Sequence, residues 1–222
     1  MSRVERRPEA LLIDLDGTLA DSHAALRACF DAFLARRGIE SRTEDFDALD
    51  GVRLGDIPAR LQERFSIDEP LESLRREYET GVTDAYASIA PSGGATELVR
   101  DAAAEGMRLV LVTSAPRALA TAFLHAAGLD DAFTAVVSGE DGPGKPDPAL
   151  FNRALELAGV TANRALAIED APSGASAARA AGVDVVGVAA DHARGAALRR
   201  AGAADVVPDL RAVERALALG RS

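Results

Sequence analysis

The sequence predicts an α/β protein with a doubly wound parallel sheet, interrupted once by an inserted helical segment. Short apolar runs alternate with Ala-rich stretches in which the apolar residues recur at helical spacing. The runs are short enough for strands that are buried on both faces, and such alternation is typical of a parallel sheet covered by helices on both sides. The segment from Asp21 to Ala90 contains no such run, which is why we expect a helical insert there.

Composition narrows the class of protein. The chain has 222 residues, of which 48% are hydrophobic, and this favours one large folded domain or one domain with an insert. A net charge of −10 argues against binding to nucleic acid or to an anionic membrane. Cys29 is the only cysteine, no apolar run reaches the ~18–20 residues of a membrane span, and the charged stretch Met1–Glu9 does not resemble a signal peptide. We therefore expect a cytoplasmic protein, and a monomer.

The strands and helices of the sheet domain follow from the apolar periodicity. The expected strands are Ala10–Ile13, Leu109–Val112, Ala135–Val137, Ala165–Ile168, Val183–Val188 and Asp205–Val207. The expected helices are Ala95–Ala104, Pro116–Ala127, Pro148–Ala158, Ser173–Ala181, Arg194–Ala201 and Leu210–Leu219. Several of these helices are followed by a glycine, which is the preferred residue just after a helix end.

The insert is expected to be helical throughout. It contains three amphipathic stretches, Ala24–Arg37, Ile57–Arg64 and Leu71–Ala87. The turn-forming sequence Pro-Ser-Gly-Gly at 91–94 marks the return to the sheet. The predicted division is therefore a sheet domain over residues 1–20 and 91–222, with a helical insert over 21–90.

Acidic pairs follow two of the predicted strands. Asp14 and Asp16 come directly after the first strand, and Glu169 and Asp170 after the fourth. Ligands of open parallel sheets bind at the carboxyl ends of the strands, so these pairs should share one crevice. Four carboxylates in one crevice repel each other unless a divalent cation holds them, and hard oxygen ligands select Mg²⁺.

Hydrogen-bond donors follow the second and third predicted strands. Thr113-Ser114-Ala115-Pro116 offers hydroxyl groups and the free N–H groups of a helix start, which together form an anion site. Lys145 is the only lysine among 25 basic residues, which suggests a position where a compact ammonium is required. The surrounding Gly-x-x-x-x-Gly-Lys run imitates a P-loop, but Pro146 stands where a P-loop needs Ser or Thr. Acids, hydroxyls and one lysine together predict Mg²⁺-assisted phosphoryl transfer.

The order and spacing of these motifs resemble the haloacid dehalogenase-like superfamily over essentially the whole chain. The matching residues are Asp14-x-Asp16-Gly17-Thr18, then Thr113, then Lys145 in Gly-Lys-Pro-Asp-Pro, and then Glu169-Asp170. The resemblance implies a Rossmann-like core, and it identifies the insert over 21–90 as the small helical cap domain of that family. The most similar branch contains sugar-phosphate and glycerol-phosphate phosphatases and β-phosphoglucomutase.

The resemblance implies a role for each catalytic residue. Asp14 resembles the nucleophile that becomes an aspartyl phosphate. Asp16 resembles the general acid that protonates the leaving oxygen and then the base that activates water. Thr113, with the backbone N–H of Ser114, would hold the transferring phosphoryl group, and Lys145 would neutralise its charge and that of the nucleophile.

The same resemblance implies a cofactor. The Mg²⁺ ligands would be Asp14, the backbone carbonyl of Asp16, and Asp170, with Glu169 bound to the ion directly or through water.

The resemblance also implies contacts with the substrate. The residues expected around the phosphate are Gly17, Thr18, Ser114 and Ala115. Arg53, in the segment 50–54 that resembles the substrate-specificity loop of the family, is a candidate contact to the rest of the substrate. The expected partner is a small phosphorylated metabolite of the sugar or polyol phosphate class.

Other activities of the superfamily fit less well. Dehalogenases lack the acid found at Asp16, and phosphonate hydrolases need a cap lysine, which the stretch 21–90 does not contain. A β-phosphoglucomutase-like mutase is the first alternative, although the mutases carry Lys where this chain has Asp50 and His where it has Leu26. A second alternative is a non-enzymatic receiver-type phosphoacceptor, which also uses aspartyl phosphate, although receivers are about half this length and order their motifs differently.

Overall fold

The structure, a computed structural model, describes residues 7–217 and residue 219. Six parallel strands form one sheet in the order β3-β2-β1-β4-β5-β6. The strands are β1 (Ala10–Ile13), β2 (Arg108–Val112), β3 (Ala135–Val137), β4 (Ala165–Glu169), β5 (Asp184–Val188) and β6 (Asp205–Val207). The predicted doubly wound parallel sheet is confirmed, and each strand end lies within one residue of its expected position.

Helices account for most of the remaining chain. They are α1 (His23–Ala35), α2 (Thr43–Asp47), α3 (Ile57–Phe65), α4 (Leu71–Tyr86), α5 (Ala95–Ala104), α6 (Arg117–Ala126), α7 (Ala149–Ala158), α8 (Pro172–Ala180), α9 (His192–Arg200) and α10 (Leu210–Leu217). The short helix α2 was not expected from the sequence. The expected end of the last helix includes Ala218, which lies outside the described residues. Within the described part of the chain, no helix combines the length and the apolar character that crossing a bilayer would require.

Strand β1 lies at the centre of the sheet and is completely buried. Leu12 pairs with Val110 of β2 on one side and with Ala167 of β4 on the other. Leu11 and Ile13 pack into the apolar layer on one face of the sheet, whereas Leu12 packs into the layer on the opposite face. Because all strands run the same way, the residues that follow β1, β2 and β4 meet at one edge.

The helices α1 to α4 form the insert that leaves the sheet after β1. Helices α1 and α4 pack together through Phe33 and Tyr78, whose ring centroids are 5.2 Å apart in an edge-on arrangement. The two segments that connect the insert to the sheet run side by side, because the backbone N–H of Asp21 donates to the backbone oxygen of Ala90 at 2.9 Å. The all-helical character of the insert agrees with the sequence analysis, and its assignment as a separate cap domain stays a prediction.

Helix α7 offers a matched test of the core. Leu150 is fully buried against the sheet, whereas Leu157 on the same helix is 39% exposed. We expect Leu150→Ala to lower the free energy of unfolding by about 2–5 kcal/mol, because it removes transfer energy and leaves a cavity. Leu157→Ala should change it by no more than about 0.5 kcal/mol. Urea denaturation of both variants measures the difference, and equal losses would contradict the packing of α7.

Candidate active site

Four polar side chains meet at the carboxyl edge of the sheet. Asp14 follows β1, Thr113 follows β2, Glu169 ends β4, and Asp170 comes next. All four are buried. The in-register pairing of β1 with β2 and β4 brings together residues that are far apart in the sequence. This is the convergence expected from the strand ends.

The ammonium group of Lys145 lies between two of these acids. Its Nζ donates to Asp14 Oδ1 and to Glu169 Oε1, each at 2.5 Å, and to the backbone oxygen of Val112 at 3.0 Å. Burial alone would lower the pKa of Lys145, but the two carboxylates outweigh it and raise the pKa above its ordinary value. The lysine is therefore a charged group, and its three donors all have acceptors.

Three carboxylates form a cluster that fits a divalent cation. Oxygens of Asp14, Glu169 and Asp170 lie within 4.8 Å of one another. Burial and the nearby Asp14 raise the pKa of Asp170 to about 7, and the same two causes raise the pKa of Glu169 well above its usual range. Glu169 Oε2 is buried without a hydrogen-bond partner among the described residues. A hard cation would offset the repulsion between the buried acids and give Glu169 Oε2 a partner. The all-oxygen donor set suits Mg²⁺.

Two glycines make room for this cluster. Gly17 has a φ of +81°, and a Cβ placed on it would lie 2.3 Å from Asp170 Oδ2. A Cβ on Gly174, in helix α8, would lie 2.1 Å from Glu169 Oε1. Any side chain at either position would therefore displace a carboxylate of the cluster.

Asp170 is held in place from two sides. Thr18 Oγ1 donates to Asp170 Oδ1 at 3.2 Å. Arg194, from the first turns of α9, donates to Asp170 Oδ2 at 2.8 Å and to its backbone oxygen at 2.7 Å. Thr18 therefore contacts a carboxylate of the cluster, and its expected contact with a phosphate stays a prediction.

Asp16 has a different environment from the three clustered acids. Tyr86, at the end of α4, donates its hydroxyl to Asp16 Oδ1 at 2.5 Å. Burial raises the pKa of Asp16 to about 6, with a further contribution from Asp14, although the Tyr86 hydrogen bond acts in the opposite direction. A carboxyl group that titrates near neutral pH is suited to give and to take a proton.

The remaining predicted residues are placed as follows. Thr113 Oγ1 accepts a hydrogen bond from Ala115 N at 3.0 Å, and Ser114 Oγ donates to Gly51 O of the insert at 2.8 Å. Arg53 does not line the site cavity: its guanidinium pairs with Asp56 at 2.7 Å and is 43% exposed. An acid three residues ahead holds this arginine, so its contact with a substrate stays a prediction without structural support.

Sequence reasoning missed two contacts of the site, those of Tyr86 and Arg194. Tyr86 continues a buried stripe on α4, with Val82 and Tyr78 at four-residue spacing. This stripe is visible in the sequence, but what it faces is not. Arg194 was interpreted only as the start of a helix, and no local pattern connects it with Asp170.

A cavity of about 130 Å³ opens beside these groups, between the sheet edge and the insert. Asp14, Asp16, Thr113 and Lys145 line its inner end. The arrangement combines a carboxylate held by an ammonium, a proton-transfer group two residues away, and an acidic cluster suited to a cation. Together these groups can support nucleophilic substitution at a phosphoryl group.

Comparison with known proteins agrees with this geometry. Residues 11–188 match the model of the family described as haloacid dehalogenase-like hydrolase. Protein CbbY of Rhodobacter capsulatus is 32% identical over 84% of this chain and 88% of its own length. A phosphoglycolate phosphatase of Nitrosococcus oceani is 32% identical over 87% and 89% of the two chains.

A solved structure extends the likeness to the whole fold. It is that of a haloacid dehalogenase-family hydrolase from Deinococcus radiodurans, with bound phosphate and sodium. It is 29% identical, covers 96% of both chains and superposes with a TM-score of 0.75. The family match, the two relatives and this fold agree with one another: the chain belongs to the haloacid dehalogenase-like hydrolases.

Proposed function

We propose that this protein is a Mg²⁺-dependent phosphatase that hydrolyses small phosphate monoesters through an aspartyl phosphate on Asp14. The observation that carries the proposal is the position of Asp14, which lies at the inner end of the cavity with one oxygen held by Lys145 at 2.5 Å. The relatives that act as phosphoglycolate phosphatases support the same reaction class.

The first step is attack of Asp14 on phosphorus. Lys145 holds Asp14 Oδ1, which leaves the other carboxylate oxygen to form the bond to phosphorus. The same ammonium, with the hydroxyl of Thr113 and the backbone N–H of Ser114, would stabilise the negative charge that develops on the phosphoryl oxygens. Water exclusion by the insert would strengthen these interactions.

Asp16 transfers the proton both when the aspartyl phosphate forms and when it is hydrolysed. Its raised pKa favours the protonated form that is needed to protonate the leaving alcohol. Once it has lost that proton, the same carboxylate can accept one from the water that hydrolyses the aspartyl phosphate. Hydrogen bonds from Tyr86 and Ser22 hold the Asp16 carboxyl group in place.

Mg²⁺ would be held by the carboxylates of Asp14 and Asp170 and by the backbone carbonyl of Asp16. Glu169 would bind the ion directly or through water. One of its oxygens is already paired with Lys145, which leaves the other oxygen to face the ion. When bound, the ion supplies positive charge next to the phosphoryl oxygens.

A panel of phosphate monoesters tests the activity. We expect phosphate release from at least one member with Mg²⁺, and none after treatment with EDTA until Mg²⁺ is added again. The panel includes sugar and polyol phosphates, which are the class expected from the sequence. It also includes β-glucose 1-phosphate with a bisphosphate primer, where formation of glucose 6-phosphate without phosphate release would establish a mutase instead.

The nucleophile is tested by Asp14→Asn. The variant should fold normally and lose all measurable turnover, because an amide does not attack phosphorus as a carboxylate does. Asp21→Asn is the matched control, since Asp21 is an exposed acid seven residues further along and should keep wild-type activity. Residual activity of Asp14→Asn above about 1% of wild type would contradict the assignment, given losses of ~10⁶-fold for removed nucleophiles.

The proton-transfer group is tested by Asp16→Asn. We expect both formation and hydrolysis of the aspartyl phosphate to slow, with a combined loss of about 10²–10⁴-fold in turnover. Rapid-quench measurement of phosphorylated protein separates the two steps. Tyr86→Phe should cost less than Asp16→Asn, because it removes only the hydrogen bond to the carboxyl group. A wild-type rate of either step in Asp16→Asn would refute the double role.

A further inference from the structure

The cavity beyond the catalytic groups has a mainly apolar wall. Its apolar lining comes mostly from the insert and includes Leu26, Phe46, Leu54, Ile57, Tyr78 and Val82. Phe46, Tyr78 and Val82 are almost completely buried, so this wall is continuous with the hydrophobic core of the insert. The part of a substrate that lies beyond its phosphate would therefore contact hydrocarbon.

Two hydroxyl groups beside this wall are already hydrogen-bonded. Ser114 donates its hydroxyl to Gly51 O, and Tyr86 donates its hydroxyl to Asp16. A sugar or polyol hydroxyl placed against the apolar side chains of this wall would give up hydrogen bonds to water without finding a partner there. Burial of an unpaired polar group is unfavourable.

The charges of the cavity also disfavour a second anionic group on the substrate. Asp50 lines the cavity and places a carboxyl group there. Arg194 is paired with Asp50 at 3.4 Å and with Asp170 at 2.8 Å, and Lys145 is paired with two acids. The other titratable groups of the insert wall are Tyr78, Tyr86 and His23, and the His23 ring packs edge-on against that of Phe46, with centroids 5.2 Å apart.

We infer that the preferred substrate is a phosphate monoester whose alcohol part is small, uncharged and apolar. The inference rests on the proposed phosphatase activity and narrows its substrate class. The cavity of about 130 Å³ must hold the phosphoryl group as well as the alcohol, because Asp14, Thr113 and Lys145 line it together with the apolar wall. An apolar cavity of about 150 Å³ in another protein accommodates benzene alone, so the alcohol part must be smaller than a six-carbon ring.

Isopentyl phosphate and glycerol 3-phosphate form the central comparison. Both are esters of unactivated primary alcohols, so the chemistry of the leaving oxygen is similar and the difference lies in the body of the substrate. We expect kcat/KM to be about 10–100-fold higher for isopentyl phosphate, which is the range over which apolar pockets discriminate. Phosphoglycolate and glucose 6-phosphate, measured with Mg²⁺ in the same series, should also be poorer substrates.

A matched pair of valine variants connects this preference to the wall. Val82 lines the cavity, whereas Val99 of α5 is fully buried in the same hydrophobic cluster but does not line it. Val82→Thr keeps the side-chain shape and replaces one methyl group by a hydroxyl group, so the ratio of kcat/KM for isopentyl phosphate over glycerol 3-phosphate should fall at least about threefold. Val99→Thr should leave the ratio unchanged.

The ratio is measured within one protein, so a partial loss of folded enzyme cancels. If Val82→Thr does not fold, Ile57→Thr replaces it, with Ile67→Thr as the control. Both isoleucines are half-buried in the insert, and only Ile57 lines the cavity.

The outcomes separate the two proposals. Higher kcat/KM for glycerol 3-phosphate, phosphoglycolate or glucose 6-phosphate would overturn the apolar preference and leave the phosphatase activity intact. An unchanged ratio in the wall variant would also overturn it. Failure to hydrolyse any ester with Mg²⁺ present would overturn the proposed function itself, and the substrate inference with it.

Discussion

The interaction on which the site depends is the buried contact of Lys145 with Asp14 and Glu169. Each buried carboxylate loses its hydration, and the acids also repel one another. With every group ionised, the three acids of the cluster are paired with two positive charges among the described residues, Lys145 and Arg194. The excess negative charge explains the raised pKa of Asp170 and the suitability of the cluster for a cation. A single compact ammonium can reach both acids and a backbone carbonyl at once, which a planar guanidinium cannot do in the same space.

The surrounding sequence is adapted to this cluster. Gly17 and Gly174 suit their positions because a Cβ at either one would collide with a carboxylate. Thr18 and Arg194 restrict Asp170 through its two oxygens, so the acid is oriented before any ligand binds. Pre-orientation of this kind lowers the cost of binding a cation or a transition state, because the groups need not reorganise.

The helical insert contributes to the chemistry as well as to the enclosure of the site. Tyr86, from its last helix, holds the carboxyl group of Asp16, and the main chain at Gly51 accepts the hydroxyl of Ser114. The environment of Asp16 therefore depends on the position of the insert. The same insert supplies the apolar wall, on which the proposed substrate preference rests.

The sheet, its strand ends and the polar residues that follow them could all be predicted from the sequence. Strands that are buried on both faces are continuous apolar runs, which can be recognised in the sequence. Because the strands are parallel, Asp14, Thr113 and Asp170 must lie at the same edge of the sheet. The side chains that face these groups across the cavity depend on tertiary packing. Tyr86 and Arg194 reach the site through the packing of α4 and α9, and Arg53 pairs with Asp56. Such contacts join residues far apart in the chain or depend on side-chain geometry, and neither leaves a periodic signal in the sequence.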